Sequence, residues 1–209
     1  MRRNHGIVFV VLVVALVFSA LGSAVASASS WYSGGTVLTS SAALNAKTTR
    51  TSGVRFSFSG VEIECEGIEL KNADIVPSAG GQIEHLVFTG CHSLTKNCIL
   101  SSKSIESKPL SIEAALGGKS PEDTLLLKPV SGTTFLEFTF EGESCGFAGR
   151  KVATGHTMFT FPKGREEAVE QGLNINAPPI ETLKMGNLEL VLRGEVKVEL
   201  ASGKDWSFH

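Results

Sequence analysis

The sequence predicts an all-β domain, an antiparallel β-sandwich or flattened barrel, with an N-terminal signal-peptide helix outside the fold. Three observations carry this. Apolar and polar residues alternate at period two through most of the chain. No window sustains a 3.6-residue period. The alternating runs are short and divided by Gly, Pro, Ser and Asn, the spacing of a sandwich or barrel and not of strands alternating with helices.

The first segment is set apart by composition. Arg2 and Arg3 precede an unbroken apolar run from Ile7 to Leu21, and small residues then lead to Ala24-Val25-Ala26 and Ala26-Ser27-Ala28. A basic start, an apolar core and an Ala-x-Ala exit are the three parts of a secretory signal peptide. Cleavage near Ala26 or Ala28 is therefore expected, and the product is expected to be secreted or at the cell surface. The alternative is retention as an anchor, since a run extended to Ala26 approaches the roughly 20 residues that span a bilayer. The 209 residues carry 19 basic and 21 acidic side chains, a net charge of -2. Residues 1–28 hold two of the basic residues and no acidic one, which leaves 181 residues at net -4. That length suits one sizeable core. The low charged fraction, 19%, argues against a disordered solvating chain. The charge balance argues against a nucleic-acid binder held by phosphate contacts.

Residues 29–52 are rich in Ser and Thr and read as a mostly irregular lead, with an edge strand conceivable over Thr36–Thr39. The domain proper is expected over 53–209. Phe56 and Phe58 alternate with Arg55 and Ser57, and Val61, Ile63 and Cys65 alternate with Glu62, Glu64 and Glu66. After Gly67 the apolar parity flips to Ile68 and Leu70, the mark of a bulge. Further strands are expected over 82–89, 97–102, 110–116, 124–128, 133–140 and 156–161. The last run is the clearest: Leu188, Leu190, Leu192, Val196, Val198 and Leu200 share one parity, as one long strand or as two joined by a kink at Gly194. Short helical turns are conceivable over 165–171 and 180–185, around Pro178-Pro179, and the stretch 162–187 reads as a surface excursion.

All four Cys lie beyond residue 28, and export with an even count favours two disulfides. Three connectivities are open. The expected one joins Cys91 to Cys98 across a short loop and Cys65 to Cys145 across a long one, worth about 2.5 and about 4.5 kcal/mol in the loop-entropy view. Metal binding by Cys91, His92 and Cys98 is not expected, because no Cys-x-x-Cys pair or second cluster accompanies them. No cofactor is implied.

Gly142-Glu143-Ser144-Cys145-Gly146 matches the G-x-S-x-G of a nucleophile elbow, but a helix should follow the serine and none is predicted. The same residues resemble the G-D-S-G-G of chymotrypsin-like proteases, and His92, Asp123 and Ser144 occur in the right order. The separation of Asp123 from Ser144 is far too short for the second barrel that fold interposes. Only His156, His209 and Asp205 follow the serine as other partners. Catalysis by Ser144 is therefore the minor reading, with His92 and Asp123 as its candidate partners. Glu62, Glu64 and Glu66 read as a solvated stripe that protects an edge, and His85 as a half-buried strand residue. Trp31, Tyr32 and Trp206 are candidates for stacking on a sugar, or else plugs over the core.

From about Val61 to Phe161 the chain resembles a group of exported four-cysteine β-proteins of high-GC Gram-positive soil bacteria, to which no activity is assigned. The matching residues are Val61-Glu62-Ile63-Glu64-Cys65, Leu86-Val87-Phe88-Thr89-Gly90-Cys91, Cys98, Pro109-Leu110 with Leu116-Gly117, Leu127-Lys128-Pro129 with Gly132, Phe138-Thr139-Phe140 leading to Cys145, and Gly149-Arg150-Lys151-Val152. The resemblance implies secretion and a β-fold, and no activity. The expectation is a non-enzymatic exported protein that binds or supports structure at the cell envelope or outside the cell. Its partner is expected in the envelope or among glycans, with no nucleic acid and no stable membrane span after cleavage. The alternatives are a secreted hydrolase using Ser144 and a carbohydrate-binding module.

Overall fold

A computed structural model describes residues 29–47, 53–115, 123–175 and 183–209. The expected signal peptide, residues 48–52 of the lead, Leu116 at the end of the 110–116 strand, the Pro178-Pro179 break and the start of the 180–185 turn lie outside the described residues. The strands in chain order are β1 (Trp31–Ser33), β2 (Thr36–Val37), β3 (Ala42–Lys47), β4 (Val54–Phe58), β5 (Val61–Cys65), β6 (Gly67–Val76), β7 (Gly80–Thr89), β8 (His92–Ser93), β9 (Ile99–Leu100) and β10 (Ser104–Glu106). Then follow β11 (Leu110–Ala115), β12 (Asp123–Pro129), β13 (Thr134–Glu141), β14 (Gly149–Thr154), β15 (Thr157–Phe161), β16 (Glu170–Ile175), β17 (Lys184–Met185), β18 (Leu188–Glu189), β19 (Val191–Leu200) and β20 (Trp206–Phe208). No helix occurs among the described residues.

Eight of these strands close a barrel. β3, β6, β7, β11, β12, β15, β16 and β19 pair antiparallel in that order, and β19 returns to β3. The order around the barrel is the order along the chain, an up-and-down meander that leaves no open edge. Period-two alternation fixes the faces. Leu44, Ile75, Ile83, Ile112, Leu125, Phe159, Leu173, Val196 and Val198 are buried, while Glu69, Lys71, Glu84, Glu113 and Glu195 are exposed. The interior is filled by these side chains, as expected for a small barrel. The remaining void is about 30 Å³ and apolar, enough for a water or so and no larger ligand.

In a meander every second connection leaves the same end. Here all four connections at that end carry strands of their own: β4 and β5 between β3 and β6, β8 to β10 between β7 and β11, β13 and β14 between β12 and β15, and β17 and β18 between β16 and β19. Together they build a lobe. One of its sheets, β19-β4-β5-β8, extends from the barrel, and the other runs β18-β17-β14-β13-β9. Phe58 lies between them, in contact with Phe138, Phe140 and Phe147 at centroid distances of 5.4–6.2 Å. The sandwich and the barrel of the expected fold class thus both occur, in different parts of one molecule. β19 serves both: its residues 191–193 pair with β4 and its residues 194–199 with β16. The change of partner falls at Gly194, within one continuous strand, where a Cβ would come within 2.9 Å of Val54 Cγ2.

The other end of the barrel is closed by β1 and β20. β1 pairs with β20, and Ser30 and His209 exchange backbone hydrogen bonds. Trp31, Trp206 and Phe208 stack over the opening, with Trp31 4.8 Å from Phe208 and 5.8 Å from Trp206. The Trp31 Nε1–H donates to the Gly80 carbonyl at the start of β7 at 2.9 Å.

Several expectations are corrected. The disulfides are Cys65–Cys91 and Cys98–Cys145, not Cys91–Cys98 with Cys65–Cys145. The reason is register. Gly67 pairs with Thr89 at the open end of the β6–β7 hairpin, and Glu66 N–H donates to Thr89 O, so Cys65 and Cys91 meet just beyond it with Cα atoms 3.9 Å apart. Likewise Glu141 pairs with Ile99, and the turn after β13 brings Cys145 back to Cys98. The parity flip near Gly67 is a corner at Glu66 between a lobe strand and a barrel strand, and not a bulge within one strand. Over its described residues, 29–47, the lead is not mostly irregular: β3 is a barrel strand whose Ala42, Leu44 and Ala46 face inward, and two alanines give a weak apolar signal. No helix forms over 165–171. The stretch 162–187 is not merely a surface excursion, because β16 closes the barrel. Gln171 hides its alternation: it occupies an inward position, 1% exposed, and donates from Nε2 to the Glu166 and Trp206 carbonyls.

Candidate functional site

The barrel is a filled scaffold, so a site has to be sought on the lobe that its four long connections build. The lobe's strands are two to eight residues long, and several of them pair with only one neighbour. The two disulfides cross-link the connections that carry them. Cys65–Cys91 ties the first connection to the second, and Cys98–Cys145 ties the second to the third. The fourth joins by pairing, Thr154 of β14 with Lys184 of β17. All four Cys are buried.

The G-x-S-x-G resemblance is explained by the second disulfide. Gly142 has φ +125°, and a Cβ there would lie 2.2 Å from the Asn97 carbonyl oxygen. It is the residue at which β13 passes against the backbone next to Cys98. Cys145 N–H then donates to Gly142 O at 3.1 Å to complete the turn. Gly146, by contrast, has open space around it. Ser144 is exposed in this turn, and no hydrogen bond joins it to a histidine among the described residues.

The proposed partners of Ser144 lie elsewhere. Asp123 is 2% exposed at the terminal-plug end of β12, opposite the lobe, where its carboxylate accepts from Arg165 Nε at 3.3 Å and Nη2 at 3.2 Å. His92 is exposed on β8, with Nε2 3.8 Å from Glu64 Oε2. Glu64 also accepts from Arg55 Nη2 at 2.9 Å, so the Glu62-Glu64-Glu66 stripe is an outer strand face with an ion pair across it. A Ser–His contact does occur elsewhere, Ser207 Oγ to His209 Nε2 at 3.1 Å, but its serine is fully buried, where no substrate reaches it. His85 is half-buried, and its Nδ1–H donates to the Ser107 carbonyl at 2.8 Å. Trp31 and Trp206 are each 1% exposed, so neither presents a ring face to a sugar. Tyr32 packs edge-on against His209 at 4.8 Å.

Two grooves open on the lobe where a strand leaves one sheet for another. The first follows from the path of residues 99–108 along β13. Ser101 N–H donates to Thr139 O and Lys108 N–H to Phe135 O, but between these points β10 swings away to pair with β7. The gap is about 270 Å³. Ser101, Ser102, Ser104 and Thr139 bring hydroxyls to it, Phe138 and Ile105 its apolar floor, and Glu137 and Arg150 its charges. Arg150 donates from Nε and Nη2 to Glu137 Oε2 at 3.1 and 2.6 Å, and Lys108 Nζ stands 3.8 Å from Oε1. The hydrogen bond from Arg150, with the two nearby cations, holds the Glu137 carboxyl below the usual carboxylate range. The second groove, about 410 Å³, lies between the β4–β5 turn and β18, with Glu62 and Glu189 on its walls.

Sequence reasoning did not single out the residues of the first groove. Ser101-Ser102-Lys103-Ser104 was the one visible signal, and it looks like any polar loop until β13 is laid beside it. No group of His, Cys, Asp and Glu suited to a metal ion occurs among the described residues. No protein family, curated protein or solved structure matches the chain.

Proposed function

We propose that the protein is exported and acts outside the cytoplasm as a non-enzymatic binding protein, with the barrel as scaffold and the disulfide-linked lobe as its binding face. The observation that carries this reading is the placement of all four elaborated connections at one end of the barrel. Loops gathered on a rigid scaffold are where binding function concentrates. The opposite end is sealed by a tryptophan plug, and the interior has no room for a ligand. The apolar-in, charged-out barrel is the reverse of one that faces lipid, which supports an aqueous location. Two disulfides suit an oxidising compartment, as does the likeness of residues 61–161 to exported four-cysteine proteins. Ser30 exchanges two backbone hydrogen bonds with His209, so the fold reaches to within a few residues of the expected cleavage at Ala26 or Ala28.

The test is expression of the full chain in a bacterium with a general secretory pathway. The expected product is found outside the cytoplasm, begins at Ser27 or Ser29, has no free thiol, and is not labelled by a fluorophosphonate probe. Cytoplasmic retention with reduced Cys overturns export, and labelling of Ser144 overturns the non-enzymatic reading.

A further inference from the structure

We propose that the groove between the Ser101–Ser104 loop and β13 holds an acidic sugar residue, so that the lobe recognises a carboxylate-bearing saccharide. The proposal rests on the binding reading above and supplies its ligand. Charge decides the class. Of the two cations beside Glu137, Arg150 lines the groove and Lys108 stands outside the lining, 3.8 Å from Glu137 Oε1, so the three groups together carry one positive charge on a chain that is net negative. Arg150 spends Nε and Nη2 on Glu137, and its Nη1 edge has no partner among the described residues. A guanidinium edge of this kind matches a carboxylate with two parallel hydrogen bonds.

Hydroxyl chemistry points the same way. Ser104 Oγ and Thr139 Oγ1 make no hydrogen bond among the described residues, and Ser102 Oγ only accepts, from Ser104 N–H at 3.1 Å. These groups offer donors and acceptors to a ring of hydroxyls, above the apolar floor of Phe138 and Ile105. The volume, about 270 Å³, falls just below the roughly 300 Å³ at which small-ligand pockets begin. It suits one sugar ring with part of the next. The larger groove at β18 has Glu62 and Glu189 on its walls and no cation, so it repels the same ligand. With no exposed indole platform, recognition depends on charge and hydroxyls and weakens with salt.

The test is calorimetric titration of the secreted protein with a galacturonate oligosaccharide and, in parallel, with a neutral glucose oligosaccharide of equal length. Binding to the acidic oligosaccharide alone is expected. Arg150→Ala should weaken it at least tenfold. Glu137→Gln, which removes the groove's one carboxylate, should tighten it, whereas a purely structural Arg150–Glu137 pair would make both substitutions weaken it alike. Glu62→Gln, at the other groove, should have no effect. Thermal unfolding of each variant shows that it is folded. No heat with the galacturonate oligosaccharide, or equal affinity in Arg150→Ala, overturns the proposal. Binding of the neutral oligosaccharide that is indifferent to Arg150 overturns the acidic-sugar assignment and leaves the binding reading standing. That reading fails separately, on fluorophosphonate labelling of Ser144.

Discussion

At the scale of single residues, the molecule separates two glycines that a motif treats alike. A nucleophile elbow needs both glycines of G-x-S-x-G. Here Gly142 is required by its positive φ and by the Asn97 carbonyl, and Gly146 by nothing near it. Gly142→Ala should destabilise by more than about 1 kcal/mol, the cost of forcing a side chain into an incompatible conformation. Gly146→Ala should stay within about 0.5 kcal/mol. Chemical denaturation of the two variants checks this, and equal losses would count against the turn described. Trp31 gives a second test at this scale. As a plug with a buried indole it should cost about 3–5 kcal/mol on truncation to Ala. Its fluorescence should resist iodide quenching and ignore added sugars. The sequence showed an aromatic residue near each terminus, and it could not show that β1 and β20 pair and bring Trp31 and Trp206 into contact.

At the scale of elements, the lobe is the part held by cross-links. In the loop-entropy view the 26-residue and 47-residue separations are worth about 3.5 and about 4 kcal/mol. The barrel closes by its own ladders. Reduction should therefore raise hydrogen exchange in β4, β5, β8, β9 and β13 while β6, β11, β12 and β16 stay protected. Equal loss across both sets would contradict the division. The Glu137 pair gives a pH signature. Its carboxyl is lowered in the folded state by the Arg150 hydrogen bond, so its stabilising contribution is complete above the unfolded value near 4.5 and is lost as the pH falls through the lower folded value. Against the native protein, Glu137→Gln should lower Tm at neutral pH and converge with it in acid. Strand existence was readable wherever alternation was clean, as in Leu188 to Leu200. It failed at β3, whose inward residues include two alanines, and at β16, whose first inward residue is Gln171. Partner choice was not readable at all: parity gives the face a strand buries, while the choice between lobe and barrel is made at corners such as Glu66 and Gly194.

At the scale of the whole molecule, an up-and-down barrel with every connection at one end enlarged into a common lobe explains features that the sequence scatters. The Cys lie in three different connections, which is why each disulfide joins two of them and why the pairing follows the open end of the β6–β7 hairpin. A local reading favoured the short Cys91–Cys98 loop because sequence distance was the only distance to be had. The groove residues were unreadable for the same reason, since Ser101–Ser104 and Arg150 meet only once β9 is laid against β13. The connectivity is therefore the most direct test of the architecture. Trypsin sites after Arg55, Lys71, Lys96, Lys103 and Arg150 place the four Cys on four separate peptides. Mass mapping of the unreduced protein should give a Cys65–Cys91 pair and a Cys98–Cys145 pair. A Cys91–Cys98 pair would contradict the lobe, and with it the binding face assigned to it.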